Sequence, residues 1–232
     1  MSHSVRSSLV QWATELERSE HDGVPLASRD ALPEAGSVGA AAVYADAALD
    51  CPHAGFGAWA VSGDELLYVQ DEWSATERQL LICDLELAAS TLGLVALQPE
   101  LGCASVYSFT DNTVAMSAMR RQSPSTLAMQ EFIAARATWL TRHGVTEAAE
   151  RVTSAANLWA DMLSRGDVAG VVLQALALHL RPRRVAVPGC WRGMVTAAAR
   201  AREGGSDAIT TGGVWPRAGA TVASDLPRPA SA

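Results

Sequence analysis

The sequence contains no lysine, so arginine supplies all 18 of its basic side chains. Cysteine is also scarce, and its four residues form no C-x-x-C pair: Cys51, Cys83, Cys103 and Cys190. Structural zinc sites need paired thiolates at short spacing, so the sequence disfavours a zinc ribbon or knuckle. Reduced, mostly buried thiols are the expected state, as in an intracellular protein.

Long hydrophobic runs are missing as well. The longest apolar run, residues 168–180, is interrupted by Gln174 and His179 and is too short to cross a bilayer. Residues 1–18 are polar and charged, without the apolar region of a signal peptide. We therefore expect an intracellular protein, cytoplasmic or nuclear, with no membrane partner.

Charge is distributed unevenly along the chain. Hydrophobic residues make up 49% of the 232 residues and the net charge is −7, which predicts a packed core. Residues 1–170 hold 10 arginines and 22 acidic residues, a balance of −12, whereas residues 171–232 hold 8 and 3, a balance of +5. Such a basic C-terminal segment is compatible with phosphate contact, but it is equally typical of a solubilising appendage.

The order of predicted elements defines the fold class. Three runs of β-type residues separated by turn signals (38–48, 55–62 and 65–73) predict an antiparallel meander. The later predicted elements are helix 76–97, strand 104–110, helices 112–121 and 126–143, a weak strand 150–154 and helix 156–165. This order is typical of a mixed α/β fold.

Four regions follow from the same patterns. Residues 1–37 combine a short helix, with Leu9, Trp12 and Leu16 at helical spacing, and a connector rich in Gly, Pro, Ser and Asp. The α/β domain occupies 38–167, and 168–203 is predicted to be a helical extension. Residues 204–232, rich in Gly, Ala, Pro, Ser and Thr, are expected to lack ordered structure.

Two acidic residues lie at unusual positions in the first half of the domain. Asp46 is inside the first strand among alanines and apolar residues, although an edge strand facing solvent would also accommodate it. Glu86 lies mid-helix, and its helical neighbours are small or apolar: Ile82, Cys83, Ala89, Ser90 and Gly93. Such a helix face can pack closely on a sheet, so the ordinary interpretation of a solvated glutamate is weakened.

Two further acidic residues have simpler explanations when each is taken alone. Asp111 ends the fourth strand, where α/β proteins place their chemistry, but it could equally cap the next helix. Asp161 lies four residues before Arg165, the spacing of an exposed helical ion pair. As a set, the four carboxylates would meet beside the first and fourth strands. Such a cluster needs a cation, and hard oxygen ligands favour Mg²⁺ or Mn²⁺.

Five segments in order resemble a known family: VYADAALD, GFGAW, LELAAS, FTDN and NLWADMLSR. They are similar to the ribonuclease H domain of retroelement reverse transcriptases, particularly DIRS-type and other retrotransposon polyproteins, over residues 38–167. The resemblance implies an α/β, ribonuclease H-like fold with a five-stranded mixed sheet, three antiparallel strands first, flanked by helices.

The resemblance also implies a site and an activity. Asp46, Glu86, Asp111 and Asp161 would be catalytic carboxylates that bind two Mg²⁺ or Mn²⁺ ions and cut the RNA strand of an RNA–DNA hybrid. Asn112 resembles the family residue beside the third carboxylate, where a side-chain amide could touch the nucleic-acid backbone, and Arg120 and Arg121 are further candidates for substrate binding. The expected partners are hybrid and a reverse transcriptase polymerase domain.

The sequence departs from the family at two places. The loop histidine that many members carry before the last aspartate is absent from residues 153–156, and His143 is poorly spaced to replace it. A basic protrusion between the two middle helices is also missing. Two function classes therefore stay open: a metal-dependent nuclease, or a non-catalytic module of the same fold that serves a reverse transcriptase as scaffold or connection.

Overall fold

The structure is a computed structural model that describes residues 39–203. The predicted helix and connector at 1–37 and the tail at 204–232 lie outside the described residues. The strands are β1 Ala40–Ala47, β2 Gly55–Ser62, β3 Glu65–Glu72, β4 Ser105–Thr110, β5 Thr146–Arg151 and β6 Arg181–Arg184. The helices are α1 Ile82–Leu101, α2 Thr113–Arg121, α3 Leu127–His143, α4 Leu158–Ser164, α5 Val168–Ala177 and α6 Gly189–Glu203.

The strands form one mixed sheet in the order β5-β4-β1-β2-β3-β6. The first three strands are an antiparallel meander, whereas β4 runs parallel to β1 and β5 parallel to β4. The mixed α/β class, with three antiparallel strands first and helices on both sides, is therefore confirmed. β5 begins at Thr146, earlier than the predicted 150–154. At the edge of the sheet only Ala149 of this strand is buried, so its sequence has no apolar alternation that would mark its start.

The prediction of five strands was wrong, because β6 adds a sixth strand parallel to β3. Its sequence, Arg-Pro-Arg-Arg, has no apolar alternation, and three of its four residues are exposed. Proline is tolerated on an edge strand such as this one, where the missing backbone donor faces outward. The region 168–203, predicted to be a helical extension, thus consists of two helices joined by a strand.

α1 lies against one face of the sheet. Its residues Asp84 to Gln98 are all buried, and a Cβ added at Gly93 would come within 2.5 Å of the Ala58 side chain. The close approach expected of this small-residue face is therefore present. By length and composition α1 is apolar enough to span a membrane, but 78% of its most apolar stretch is buried inside the protein, as in a core helix.

The opposite face of the sheet is covered by α4 and α5 near β2 and β3. A Cβ added at Gly57 would clash with the Leu163 side chain and come within 2.8 Å of the Ala160 carbonyl oxygen. Gly57 is therefore required for α4 to lie this close to the sheet. A second, small core forms here, in which Leu66 and Val171 pack with Leu163.

The C-terminal helix α6 belongs to the main core. Val195 and Ala199 are fully buried in it. Arg192 donates a hydrogen bond of 2.7 Å to the carboxylate of the buried Glu77 and lies over the Trp73 ring at 5.0 Å. Glu77 also accepts from the Ser74 backbone N–H at the start of a short 3-10 turn over Glu77–Gln79. Leu80 and Leu81 after this turn have extended backbones, so α1 starts at Ile82 rather than at the predicted residue 76.

Candidate metal centre

The site begins where β1 and β4 end side by side. These parallel strands are in register at Tyr44 and Phe109, and two residues further along each strand are Asp46 and Asp111. Because the carboxyl ends of parallel neighbours meet at one edge of the sheet, the two carboxylates converge there.

Glu86 completes the cluster from α1. Its carboxylate lies near the backbone N–H of Ala47, which follows Asp46 and acts to lower the pKa of Glu86. One carboxylate oxygen from each of Asp46, Glu86 and Asp111 lies within 4.8 Å of the other two. The structure thus brings together three of the four carboxylates that the sequence singles out.

Burial makes this cluster electrostatically unfavourable without a cation. Asp46 and Glu86 are each only 6% exposed. Burial, followed by the charges of Asp111 and Asp161, raises the pKa of Asp46 to about 7, although the Ser164 hydrogen bond opposes the rise. Burial and then the charges of Asp46 and Asp111 raise the pKa of Glu86 to about 9.

The donor set fits a divalent cation. The Oε2 atom of Glu86 is buried and has no hydrogen-bond partner among the described residues. An unpartnered buried carboxylate oxygen costs free energy unless a cation or a proton satisfies it. Carboxylate oxygens are the ligands that Mg²⁺ and Mn²⁺ prefer, and no thiol or imidazole belongs to the cluster.

Asp161 lies at the margin of the cluster. Its Oδ1 atom accepts a hydrogen bond of 2.7 Å from Nε of Arg165, which is the helical ion pair that its spacing indicates. Its charge nevertheless contributes to the raised pKa values of both Asp46 and Glu86. Asp161 is therefore near enough to act on the site electrostatically while Arg165 holds its carboxylate.

Two serines support the cluster, and sequence reasoning assigned neither a role. Ser164 donates to Oδ2 of Asp46 and Ser154 to Oδ2 of Asp111, both over 2.6 Å. Ser154 lies in the loop where the family histidine is absent. His143 instead uses its Nδ1 in a contact of 2.8 Å with the Trp139 carbonyl oxygen. Only the role of Ser164 had a signal in the sequence: it lies three residues after Asp161 and therefore on the same face of the helix.

Two of the three predicted substrate-binding residues, Asn112 and Arg120, have local partners. The Asn112 side-chain oxygen caps α2 by accepting from the backbone of Val114 and Ala115, so Asn112, not Asp111, is the N-cap. Arg120 donates to the Ala149 carbonyl and pairs with Glu150. Arg121 is exposed in the last turn of α2, at the far end of the helix, about 12 Å from its first residue Thr113. Their contact with nucleic acid stays a prediction.

The basic C-terminal segment also uses its arginines internally. Arg181 pairs with Asp64 at 2.8 Å, and Arg183 pairs with Glu100 at 3.0 Å. Arg184 donates to the Gln70 carbonyl oxygen over 2.6 Å. These side chains hold β6 against the body of the protein, so a large part of the local positive charge is already compensated.

Comparison with known proteins gives matches in structure only. No protein-family model and no curated protein sequence matches this chain. A similar solved structure is the N-terminal RNase H domain of Rv2228c from Mycobacterium tuberculosis, with 18% identity and a TM-score of 0.44, covering 53% of this chain and 95% of that one. RNase H1 from the archaeon Halobacterium salinarum is similar at 18% identity and a TM-score of 0.42, covering 54% of this chain and 94% of that one. At this level the likeness concerns the fold alone.

Proposed function

We propose that this protein is a metal-dependent endonuclease that hydrolyses the RNA strand of RNA–DNA hybrids as part of a retroelement reverse transcriptase. The observation that supports this proposal is the convergence of Asp46, Glu86 and Asp111 within 4.8 Å, with an unpartnered oxygen of Glu86 buried among them. A purely structural role does not require three carboxylates to meet in a buried place, where they repel one another.

Asp46, Glu86 and Asp111 would hold the divalent cation, and Asp161 would help to hold a second. When bound, such ions would activate a water and stabilise the leaving oxygen in phosphodiester hydrolysis. The protein's own contribution is positioning. Ser164 donates a hydrogen bond to one oxygen of Asp46, and Ser154 donates to one oxygen of Asp111. The second oxygen of each carboxylate is then available to the cation.

Metal binding in this proposal is coupled to proton release. Carboxylates bind a cation in their ionised form, and burial raises the pKa of both Asp46 and Glu86. Cation affinity should therefore increase with pH as these two groups lose their protons.

Hybrid binding would depend on a fused polymerase domain. Residues 1–170 carry a charge of −12, and phosphate contacts dominate nucleic-acid affinity. Arg120, Arg181 and Arg183 are already engaged in ion pairs. We therefore expect the isolated chain to bind hybrid weakly and to cleave it at high enzyme concentration.

The deciding experiment compares Asp111→Asn with the wild type on a labelled RNA–DNA hybrid in Mg²⁺. Asp111→Asn should abolish cleavage and keep the fold, because Asp111 is half-buried at a strand end and is not the helix cap. Asp71→Asn, which neutralises an exposed carboxylate at the end of β3, is the matched control and should cleave normally. Full activity of Asp111→Asn would refute the assignment.

The second candidate is a non-catalytic module of the same fold that connects parts of a reverse transcriptase. It is favoured by the absence of the loop histidine and by the internal engagement of Asn112 and Arg120. A wild-type protein that binds Mg²⁺ but leaves hybrid intact at any concentration, alone and joined to its polymerase, would support this candidate instead.

A further inference from the structure

One half of the sheet carries a row of aromatic side chains on the side away from α1. Their ring centroids are 6.4 Å apart for Tyr107 and Phe109, 4.7 Å for Phe109 and Tyr44, 4.3 Å for Tyr44 and Trp59, and 5.0 Å for Trp59 and Trp159. All five residues are only half-buried. We call this surface the aromatic face, defined by Tyr44, Trp59, Tyr107, Phe109 and Trp159.

The neighbouring residues on the same strands show which way this face points. Val43 and Val106 belong to the core beneath α1, so the alternate residues Tyr44 and Tyr107 project to the other side of the sheet. On that side, α4 packs over β1, β2 and β3, and α5 packs over β3 and β6. The helices that contact β4 and β5 are α1 and α2, which also pack against each other on the opposite side, so within residues 39–203 no helix covers this side of β4 and β5. The rings of Tyr44 and Phe109, which stack on each other, are therefore left without a covering helix by the described part of the chain.

The border of the aromatic face is apolar too. Trp59, Ala156, Leu158 and Trp159 line a shallow depression of about 190 Å³, and Leu158 is 48% exposed. Contiguous apolar surface of this kind marks a place where another layer of protein docks.

The charges around the face argue for a protein segment rather than nucleic acid. Bases also stack on aromatic rings, but such sites need a cationic groove that follows the backbone. The charged residue in register with Phe109 is Glu150, which is already paired with Arg120, and Asp46 continues the strand after Tyr44. Both residues are acidic, so neither would attract the phosphate backbone of a nucleic acid.

We propose that the N-terminal segment of this same chain, through Leu9, Trp12 and Leu16, covers the aromatic face. The spacing of these three residues places them on one side of a helix, and a helix of this length needs packing to be stable in water. The described chain starts at Gly39 and enters β1, which carries Tyr44 in the middle of the face.

The connection is long enough for this docking. The 22 residues between Leu16 and Gly39 reach at most about 75 Å when extended, and five strands side by side span about 20 Å. A tether of this kind gives the segment a local concentration in the millimolar range, far above that of a second molecule in dilute solution. The inference is independent of the proposed nuclease activity.

The test is photo-crosslinking in the full chain, with benzoylphenylalanine incorporated in place of Trp12 or, as the control, of Thr14 on the opposite side of the helix. We expect crosslinks from position 12 to peptides that contain Tyr44, Trp59 or Phe109, and at most one-tenth of that yield from position 14. Mixing ¹⁵N-labelled and unlabelled protein shows whether each crosslink joins one chain or two.

Crosslinks within a single chain support the proposal. No crosslink from position 12 to the aromatic face, equal yields from both positions, or crosslinks only between differently labelled chains would overturn it, the last in favour of a second copy. In parallel, Trp12→Ala should lower the melting temperature by about 3 °C or more, whereas Thr14→Ala should change it by less than about 1 °C. Equal melting temperatures for the wild type and Trp12→Ala would also contradict the docking.

Discussion

Ser164 on α4 donates a hydrogen bond of 2.6 Å to Oδ2 of Asp46 on β1, and both side chains are buried. The Ser164 hydroxyl also lies 2.8 Å from the Asp161 carbonyl oxygen one turn earlier, so the helix backbone helps to fix its position. Asn157, at the start of α4, donates to the Ala45 carbonyl over 3.0 Å. The two ends of α4 are thus hydrogen-bonded to the strand that carries Asp46.

Replacing Ser164 by Ala should weaken the metal site with little effect on the fold. Loss of a residue that orients a metal ligand typically costs about 10- to 100-fold in metal affinity or activity. We expect a fall of that size in Mg²⁺ affinity, measured by calorimetric titration, together with a higher Mg²⁺ requirement for cleavage. Ser117→Ala, which removes a half-buried hydroxyl from α2, is the control and should bind Mg²⁺ as the wild type does. Unchanged affinity in Ser164→Ala would show that Asp46 does not depend on this hydrogen bond.

A second prediction concerns the buried Arg136. Its guanidinium pairs with Glu147 and donates to Thr91 and Ser108, tying together α3, β5, α1 and β4. Removing one partner of a buried ion pair leaves an uncompensated charge and costs about 3–5 kcal/mol. Glu147→Gln should therefore lower the free energy of unfolding by about that amount in urea denaturation.

The double variant Arg136→Met with Glu147→Met serves as the control for this interpretation. Replacing both charges by apolar groups of similar size is often neutral or stabilising. The double variant should therefore recover most of the stability lost in Glu147→Gln. If the double variant is less stable than Glu147→Gln, the hydrogen bonds to the hydroxyls outweigh the charge effect.

The parts of the site that depend on the local pattern of apolar, small and acidic residues could be predicted from the sequence. Asp111 was identifiable because it ends a buried strand, and Glu86 because Ala89 and Gly93 beside it indicated a helix face close to the sheet. Both positions follow from side-chain periodicity, which is a local property of the chain. The antiparallel meander of β1, β2 and β3 follows from the same reasoning.

Features that depend on distant contacts were not predictable. Arg136 gives no sign of burial in the sequence, because an arginine in a helix is ordinarily exposed and its partner Glu147 is on another element. The strand β6 has no β-type pattern, since Arg181 and Arg183 reach acidic groups from other elements across its exposed edge. The hydrogen bond from Ser154 to Asp111 joins two loops 43 residues apart.

The pH dependence of stability offers a third prediction, for the metal-free protein. In the unfolded chain both carboxyls ionise near pH 4, whereas in the folded protein the pKa of Asp46 is about 7 and that of Glu86 about 9. Between these limits the folded state binds more protons than the unfolded state. The free energy of unfolding should therefore fall as the pH rises from about 4 to about 9, with the full contribution of these groups present only at the acidic end.

The measurement is urea denaturation in EDTA at several pH values, for the wild type and for Glu86→Gln. The neutral side chain removes one of the two linked protonations, so the decline with pH should be shallower in the variant. The difference between the two proteins isolates Glu86 from the other titrating groups. A wild-type stability that rises with pH relative to the variant would contradict the raised pKa of Glu86.

The final prediction joins metal binding to stability and examines the whole cluster. Near neutral pH, the ionised fractions of the buried carboxylates repel one another, and burial further disfavours their charged forms. Bound Mg²⁺ offsets this repulsion and, since the unfolded chain has no such site, must raise the melting temperature. Asp46→Asn should melt higher than the wild type in EDTA, because it removes one of the repelling charges, and should lose the response to millimolar Mg²⁺.

Thermal melts of both proteins at constant ionic strength, with Asp71→Asn as an exposed control, provide the comparison. A wild type and an Asp46→Asn variant that respond equally to Mg²⁺ would mean that the cation binds elsewhere, because only the ligand set at the ends of β1 and β4 is altered by this change.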